Sequence, residues 1–394
     1  MTGGSFMEID QRKAGFINKF GDGGDIRGYF APGRVNLIGE HIDYNGGHVF
    51  PCALSVGTYC IARKRNDNNI LLYSDNCKRA GVRKASIDDM QYIKQNGWIN
   101  YPLGVIWAFG LKGRKVTCGL DLFFYGNIPG SGLSSSASRE VVVGVRLKDR
   151  FGFDVSLSDI AVIGQYSENN FNKTNCGIMD QFASAMGKKD NAIFLDCATL
   201  EYQYVPFVLK GVSLVIANSN KSHTLSQSHY NERREECERA LQDLQKELKI
   251  KHLCELTPIQ FETYKYLIQD KVCLQRATHV VYEEQRTKDA VNALKKGDLV
   301  TFGVLRNESG DSLRYDYDAT CFEIDTLVDE ARKQRGCLGS RETGGGWGGN
   351  TVSLVRDEFV HSFFCNLPRI YTRKTGRKTK LHVRTAGDGG RRLF

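Results

Sequence analysis

Residues 126–138 have the sequence Gly126-Asn127-Ile128-Pro129-Gly130-Ser131-Gly132-Leu133-Ser134-Ser135-Ser136-Ala137-Ser138. The apolar run at 120–125 predicts a buried strand before them, and the pattern around 141–147 predicts a helix after them. Three glycines and five serines therefore occupy a strand-to-helix turn. Glycines let a ligand approach the main chain, and the free amides and dipole of a helix N-terminus favour an anion. A serine-capped loop without a ligand is the alternative, and this stretch alone leaves both open.

The turn differs from the common phosphate-binding motifs. No Lys-Ser/Thr pair closes it as in a Walker loop, and the pattern Gly-x-Gly-x-x-Gly is missing. If the turn binds nucleotide phosphates, we expect the positive charges to come from other segments.

A dense set of polar residues follows the first predicted strand. Arg34, Glu40, His41 and Asp43 fall within ten residues of a turn-rich segment. Carboxylates and an imidazole can each hold a hydroxyl group, so the set suits a small polyol. A metal site is weaker, because one histidine with two carboxylates is a poor ligand set. A salt-bridged surface turn is the third interpretation.

Two further segments carry candidate chemistry. Cys176-Gly177-Ile178-Met179-Asp180-Gln181 puts a carboxylate among apolar neighbours at a predicted helix start, where it is either an N-cap or a group kept for chemistry. Residues 336–350 form a second glycine-rich stretch directly before a predicted strand, which favours a ligand loop over a linker.

Periodicity predicts helices at 7–20, 156–170 and 226–248, and a pair of helices at 265–276 and 278–294. Trp98 stands at the opening of another predicted helix. Its indole ring could face a nucleobase, although an indole at a helix start more often belongs to the core.

The bulk composition is that of a globular protein with two or three domains, since 41% of the 394 residues are hydrophobic and 25% are charged. No apolar run approaches the ~18 residues of a membrane span, and the first twenty residues lack the apolar core of a secretory signal. The twelve cysteines contain no Cys-x-x-Cys pair. We therefore expect free thiols in the cytoplasm and no membrane partner.

The formal net charge is +9, and residues 366–394 contain nine Lys and Arg against Asp388 alone. A nucleic-acid-binding arm is conceivable. However, residues 380–384 alternate like a half-exposed strand, so we expect a solvated edge strand and no nucleic-acid partner.

Four separated stretches resemble one family. Residues 33–44 are similar to the galactokinase signature, and residues 132–138 to the phosphate loop of the galacto-, homoserine, mevalonate and phosphomevalonate kinases. Residues 176–181 resemble the galactokinase catalytic-aspartate segment, and 340–349 the third motif of the superfamily. Residues 230–237 and 387–393 also resemble galactokinases, so the similarity covers nearly the whole chain.

The resemblance implies an α/β (α+β) fold with two domains, which we place at 1–190 and 191–394, and an active site in the cleft between them. It implies ATP and Mg²⁺ as cofactors and transfer of the γ-phosphoryl group to O1 of α-D-galactose. We expect a cytoplasmic monomer.

The resemblance also assigns roles to particular residues. The catalytic pair is Arg34 and Asp180, and the sugar-binding residues are Glu40, His41, Asp43, Gly177 and Tyr230, with Asp180. The nucleotide-binding residues are Trp98, Gly130, Ser131, Gly132, Leu133, Ser134, Ser135, Ser136 and Ala137. The residues that the resemblance assigns to magnesium binding are Ser136 and Glu168.

These residue types suit phosphoryl transfer, which depends on positioning and on neutralising charge. Asp180 near O1 could accept or orient its proton, and Arg34 could stabilise charge on the transferred group. Kinases for N-acetylgalactosamine or arabinose share much of this pattern, and so do regulators that bind galactose and ATP without turnover. The step Ser136-Ala137, which such regulators lack, argues for catalysis.

The chain departs from the family pattern at several positions, among them Arg306, Gly310, Tyr315, Trp347 and Asn350, and three further departures bear directly on the site. Arg139 stands where an apolar residue is usual, and inside the core it would need a partner. Glu342 replaces a methionine and would weaken ATP binding if it faced the phosphates. Only Gly130-Ser131 separate Pro129 from Gly132, one residue fewer than in most galactokinases.

Overall fold

The computed structural model describes residues 3–129, 132–221 and 226–394, with side chains described at 9–129, 132–221 and 228–394. The helices are α1 (Gly3–Phe20), α2 (Asn100–Leu111), α3 (Ser135–Phe151), α4 (Leu157–Asn170), α5 (Met179–Met186), α6 (Ser226–Leu244), α7 (Pro258–Tyr264), α8 (Lys271–Lys295), α9 (Leu299–Tyr315), α10 (Phe322–Arg332) and α11 (Asp357–Thr375). The strands are β1 (Arg27–Asn36), β2 (His48–Val49), β3 (Pro51–Lys64), β4 (Asn69–Ser74), β5 (Arg83–Ser86), β6 (Leu120–Gly126), β7 (Asn191–Asp196), β8 (Tyr202–Pro206), β9 (Val212–Asn218), β10 (Cys337–Thr343), β11 (Asn350–Arg356), β12 (Lys380–Arg384) and β13 (Arg391–Arg392).

The described strands form three sheets. A six-stranded sheet has the order β13-β1-β3-β6-β4-β5, a four-stranded sheet the order β10-β11-β9-β12, and a small sheet the order β2-β7-β8. All pairings are antiparallel except β4 with β6. This mixture of helices and largely antiparallel sheets agrees with the predicted α/β (α+β) class.

The strand-turn-helix unit that organises the chain is present as predicted. β6 is buried over Leu120–Phe124 because both its neighbours, β3 and β4, pair with it inside the sheet. α3 then packs across the same sheet, and its buried valines Val141, Val142 and Val145 belong to the main core. The two elements that flank the turn, β6 and α3, therefore both pack within this sheet layer.

Several predicted elements have different bounds. The helices predicted at 265–276 and 278–294 are wrong as a pair, since a single helix, α8, begins at Lys271 after a 3₁₀ turn at Lys265–Leu267. The side chain of Asp270 caps it by accepting hydrogen bonds from the main-chain N–H groups of Val272 and Cys273. Trp98 lies in a 3₁₀ segment, Lys94–Ile99, that precedes α2.

The second glycine-rich stretch is only partly a loop. Residues 337–343 form β10, which pairs with β11 from Thr343↔Asn350 onward, and only residues 344–349 connect the two strands. The expected edge strand at 380–384 is confirmed, because β12 lies at one end of the four-stranded sheet and pairs with β9.

Segments from both halves of the chain build shared sheets. β7 pairs with β2, and β13 returns to pair with β1 at Tyr29↔Arg392. The largest hydrophobic core also combines residues of α2 and α3 with residues of α6 and α8. The division into 1–190 and 191–394 stays a prediction.

Candidate active site

The predicted sugar-binding and catalytic residues meet around one cavity of about 220 Å³, called the polar cavity here. It is lined by Arg34, Glu40, His41, Asp43, Ser136, Glu168, Thr174, Cys176, Gly177, Met179, Asp180, Tyr230, Gly344 and Gly345. These residues come from the end of β1, the start of α3, α4, the start of α5, α6 and the β10–β11 loop. Chain segments more than 300 residues apart therefore converge on one site.

Arg34 and Asp180 form a tight ion pair at this cavity. Both Nε and Nη2 of Arg34 approach Asp180 Oδ1, at 2.7 and 2.6 Å. The Asp180 side chain is 30% exposed, whereas that of Arg34 is 3% exposed. Asp180 does not cap its helix, because Ile178 is the N-cap residue of α5 and provides no side-chain bond. Within the described chain Oδ2 has no hydrogen-bond partner, so it is available to a ligand.

Asp43 lies beside Asp180 in a tightly enclosed position. Burial, and then the negative charge of Asp180, raise the pKa of Asp43 to about 6. Gly177 covers the carboxylate so closely that a Cβ atom there would lie 2.0 Å from Asp43 Oδ2. Asp43 can therefore occupy this position only because residue 177 is a glycine.

Glu40 is fully buried and held by several donors. Its carboxylate accepts a hydrogen bond from Asn36 Nδ2 at 2.6 Å and one from the Gly344 N–H group at 3.0 Å, and it pairs with the Arg341 guanidinium. Burial raises the pKa of Glu40, and Arg341 acts in the opposite direction. The second glycine-rich stretch and β1 are thus joined at this carboxylate.

His41 lies among aromatic rings, with Nδ1 2.9 Å from the hydroxyl of Tyr44 and ring centroids of Tyr317 and Tyr230 at 4.8 and 5.3 Å. Burial holds the pKa of His41 well below its usual value, so the ring is neutral. Nε2 of this ring has no hydrogen-bond partner in the described part of the chain. The tyrosines orient the ring and leave Nε2 for a ligand.

At the phosphate-loop candidate, the serine in the N-cap position does not cap α3. Ser134 has φ 57°, and its buried Oγ bonds neither to α3 nor to any other described residue. Arg34 donates to the carbonyl oxygens of this loop, through Nη1 to Gly132 at 3.2 Å and through its main-chain N–H to Leu133. Gly130 and Ser131 lie outside the described residues.

Two predicted nucleotide-binding residues have side chains turned into the protein. Leu133 and Ala137 are fully buried, so only their main-chain atoms can face a ligand. Ser135 and Ser136, by contrast, line cavities on the two sides of the α3 N-terminus.

Glu168 and Ser136 both line the polar cavity, and Gln181, to which the sequence analysis gave no role, holds Glu168. Burial raises the pKa of Glu168 to about 7. Gln181 Nε2 donates to Glu168 Oε2 at 3.0 Å and to Glu140 Oε2 at 2.9 Å. The described residues contain no group of three or more His, Cys, Asp or Glu side chains that could hold a metal ion.

Trp98 lies at a separate cavity of about 150 Å³, called the aromatic cavity here. It is lined by Thr58, Ser74, Asn76, Cys77, Trp98, Phe124, Gly126, Ile128, Ser135 and Arg139. The rings of Trp98 and Phe124 meet edge to face, with centroids 5.6 Å apart. The phosphate loop contributes Ile128 and Ser135, so this cavity and the polar cavity flank the same turn.

Glu342, which would weaken ATP binding if it faced the phosphates, does not line the polar cavity. Alternation along β10 turns Arg341 and Thr343 toward Glu40 and Asn36, and Glu342 to the opposite face. Glu342 is 1% exposed, and neither carboxyl oxygen has a hydrogen-bond partner among the described residues. Burial therefore raises the pKa of Glu342 well above its usual value.

Comparison with known proteins agrees with this architecture. The galactokinase galactose-binding signature matches residues 14–64, the N-terminal domain of GHMP kinases residues 100–188, and their C-terminal domain residues 290–361. The crystal structure of the Methanococcus jannaschii mevalonate kinase shares the fold, with a TM-score of 0.65 over 93% of this chain and 99% of that one at 16% identity. The fold and the site define a GHMP kinase.

Relatives with higher sequence identity show which family of GHMP kinases the chain belongs to. The galactokinase of Clostridium acetobutylicum is 50% identical over 93% of this chain and 94% of its own length, and that of Bacillus subtilis 47% identical over 98% and 99%. The structure of Lactococcus lactis galactokinase complexed with galactose superimposes with a TM-score of 0.95 at 41% identity, covering 98% of this chain and all of that one. The chain belongs to the galactokinase family. The predicted family, fold class and ATP-dependent kinase activity are confirmed.

None of the described helices combines the length with the hydropathy that a membrane-spanning helix requires.

Proposed function

We propose that this chain transfers the γ-phosphoryl group of ATP to O1 of α-D-galactose, giving galactose 1-phosphate and ADP. The observation that carries the proposal is the Arg34–Asp180 pair, which opens onto a cavity of hydroxyl-binding groups beside the loop at the α3 N-terminus. A sugar acceptor and a triphosphate can therefore meet at one carboxylate.

Asp180 acts on the acceptor hydroxyl. Arg34 occupies Oδ1 with two contacts, so Oδ2 is the atom that accepts or orients the O1 proton. Because the guanidinium also contacts the Gly132 carbonyl, it lies between the acceptor and the phosphate loop. There it stabilises the negative charge that spreads over the transferred group.

The remaining polar groups of the cavity hold the sugar. Glu40, Asp43 and the tyrosine hydroxyl at 230 bond the other hydroxyl groups, and His41 contributes Nε2. Gly177 fixes Asp43 by leaving no room for another position. A site built from buried hydrogen-bonding groups discriminates strongly between sugars, because a missing hydroxyl leaves such a group unpaired.

The nucleotide binds across the turn at 126–138. The main chain from Gly130 to Ala137 and the hydroxyls of Ser134, Ser135 and Ser136 face the phosphates, and Trp98 faces the base. The unpartnered Oγ of Ser134 supports this role.

Ser136 and Glu168 would hold magnesium, with the phosphates of the nucleotide supplying further oxygen ligands. A hydroxyl and a carboxylate are the oxygen ligands that Mg²⁺ prefers, and kinase sites use few protein ligands. The residues present therefore fit the ion. When bound, it supplies charge neutralisation at the phosphates, while Gln181 holds Glu168 in position.

The chain is further proposed to act as a cytoplasmic monomer with units at 1–190 and 191–394. All twelve cysteines are free, which supports a reducing compartment. Light scattering tests the monomer.

The function is tested by a coupled assay with ATP and a panel of galactose, N-acetylgalactosamine and arabinose. We expect turnover to be highest with galactose and to be abolished in Asp180→Ala, while ADP affinity is retained. Highest turnover with another sugar, or galactose and ATP binding without any turnover, would contradict the proposal. The latter result would indicate a regulator.

A further inference from the structure

Arg139 is a half-buried cation at one wall of the aromatic cavity. It lies on α3 one helical turn after Ser135 and lines the aromatic cavity. Across the described residues, its guanidinium makes no hydrogen bond and no ion pair. Its one close contact is with the ring of Tyr101, whose centroid is 5.8 Å from Cζ.

The fully buried arginines differ from Arg139, because the described residues give each of them a hydrogen-bond or ion-pair partner. Arg306 is fully buried and donates to the carbonyl oxygens of Leu37 and Val352, each at 2.9 Å. Arg34 and Arg341 pair with carboxylates. Desolvation lowers the pKa of Arg139, and the nearest acids, Glu140 and Glu168, offset it only through space. A guanidinium that is partly withdrawn from water is stabilised by a ligand that supplies its acceptors.

The position of the cavity indicates which ligand that is. Ile128 and Ser135 of the phosphate loop form one wall, and the rings of Trp98 and Phe124 form the others. The polar cavity with Ser136 lies on the other side of the α3 N-terminus. A nucleoside triphosphate with its phosphates on this turn therefore places its base against Arg139, and the flat aromatic walls suit such a base.

We infer that Arg139 sets the base preference of this kinase, by donating two hydrogen bonds to O6 and N7 of a 6-oxopurine nucleotide. A guanidinium has only donors, arranged as a fork that matches two adjacent acceptors. Guanine and hypoxanthine present O6 and N7 side by side, whereas adenine presents an amino group next to N7. The inference rests on the proposed function, and it widens the phosphoryl donors from ATP to GTP and ITP.

The test compares ATP, GTP and ITP as donors to galactose, through kcat/KM, in the wild type, Arg139→Leu and Arg139→Lys. One bidentate pair discriminates between bases by roughly tenfold or more. We expect the GTP:ATP and ITP:ATP ratios to fall about tenfold in the leucine variant. The lysine variant keeps the charge without the fork, so its ratios should fall as well, although its overall nucleotide affinity should be retained. The lysine variant also provides the comparison if the leucine variant does not fold.

Calorimetric binding of ADP, GDP and IDP separates this inference from the proposed function. If no triphosphate supports galactose phosphorylation but the GDP:ADP affinity ratio still falls in Arg139→Leu, the proposed function is wrong and the inference stands. Equal losses for all three nucleotides would assign Arg139 to the phosphates and overturn the inference. Ratios that are the same in all three proteins would overturn it as well.

Discussion

Replacing Gly177 with alanine tests the geometry of the sugar site through one methyl group. A Cβ atom at 177 would lie 2.0 Å from Oδ2 and 2.2 Å from Cγ of Asp43, and distances under 3.0 Å essentially never occur. Gly177 lies outside the strands and has no positive φ, so alanine there disturbs no strand pairing and causes no backbone strain. The carboxylate must therefore move by about 1 Å away from its place beside Asp180.

The size of the effect follows from that displacement. A misplacement of about 1 Å in a positioning group can cost on the order of 100-fold, or about 2.7 kcal/mol of transition-state stabilisation. We expect Gly177→Ala to lower kcat/KM for galactose by about 100-fold. The affinity for ADP should stay close to that of the wild type, because the three atoms nearest to the added Cβ all belong to Asp43.

Gly345→Ala is the matched control for this variant. Gly345 lines the same cavity and also has no positive φ, but its Cβ atom would meet only Tyr230 Cδ2, at 3.8 Å. We expect a change of less than about threefold there, since this is an ordinary van der Waals distance. Steady-state kinetics and galactose titration report both variants. Unchanged galactose kinetics in Gly177→Ala, or an equal loss of ADP affinity, would refute the reasoning.

Three further outcomes follow from buried charges. Glu342→Met should raise the free energy of unfolding by about 1–3 kcal/mol at pH 7.5, since it removes an unpartnered buried carboxyl group. Because the pKa of Glu342 is raised in the folded protein, this carboxyl group ionises at a lower pH in the unfolded state than in the folded state. The wild type therefore loses stability as the pH rises above about 4, and the gain from methionine should be smaller at pH 5 than at pH 7.5. Thermal unfolding at both pH values measures this, and a loss of stability at pH 7.5 would contradict it. The pKa of about 6 for Asp43 predicts that kcat/KM for galactose falls below pH 6 as the carboxylate is protonated. A flat pH profile between 5 and 7 would speak against that. Arg341→Met leaves Glu40 buried without its ion-pair partner and should cost about 3–5 kcal/mol in urea unfolding and weaken galactose binding. A variant as stable as the wild type would exclude a structural role for the pair.

Local patterns predicted the elements whose signals lie within one segment. The apolar run of β6, the turn and α3 form one continuous signal, and the alternation in β12 identified an edge strand. The helix at 271–295 was divided wrongly, because the pattern does not show that Asp270 caps it. β10 was taken as loop because Gly339 and the charged pair Arg341-Glu342 obscure the strand pattern.

The candidate site depended on contacts that spacing alone does not reveal. Arg34 and Asp180 are 146 positions apart, and only the family resemblance placed them together. Asn36 and Arg341 belong to the quoted motifs, so motif membership was an available signal for the residues that hold Glu40. Gln181 also belongs to a quoted motif, whereas Glu140 had no such signal, because its contact with Gln181 arises where α3 and α5 pack. The serine-rich turn itself could not be separated from a capped loop until Ser134 proved not to cap its helix.

The central claim is that Asp180 directs the γ-phosphoryl group of ATP to O1 of galactose. The most direct measurement is ³¹P NMR of a reaction of the purified chain with ATP, Mg²⁺ and galactose, run beside the Asp180→Asn variant, which keeps the shape of the side chain but loses its charge. We predict that galactose 1-phosphate and ADP form in equal amounts with the wild type, and that the variant forms neither although it binds ADP normally. A phosphate on another hydroxyl group, or comparable product from the variant, would contradict the account.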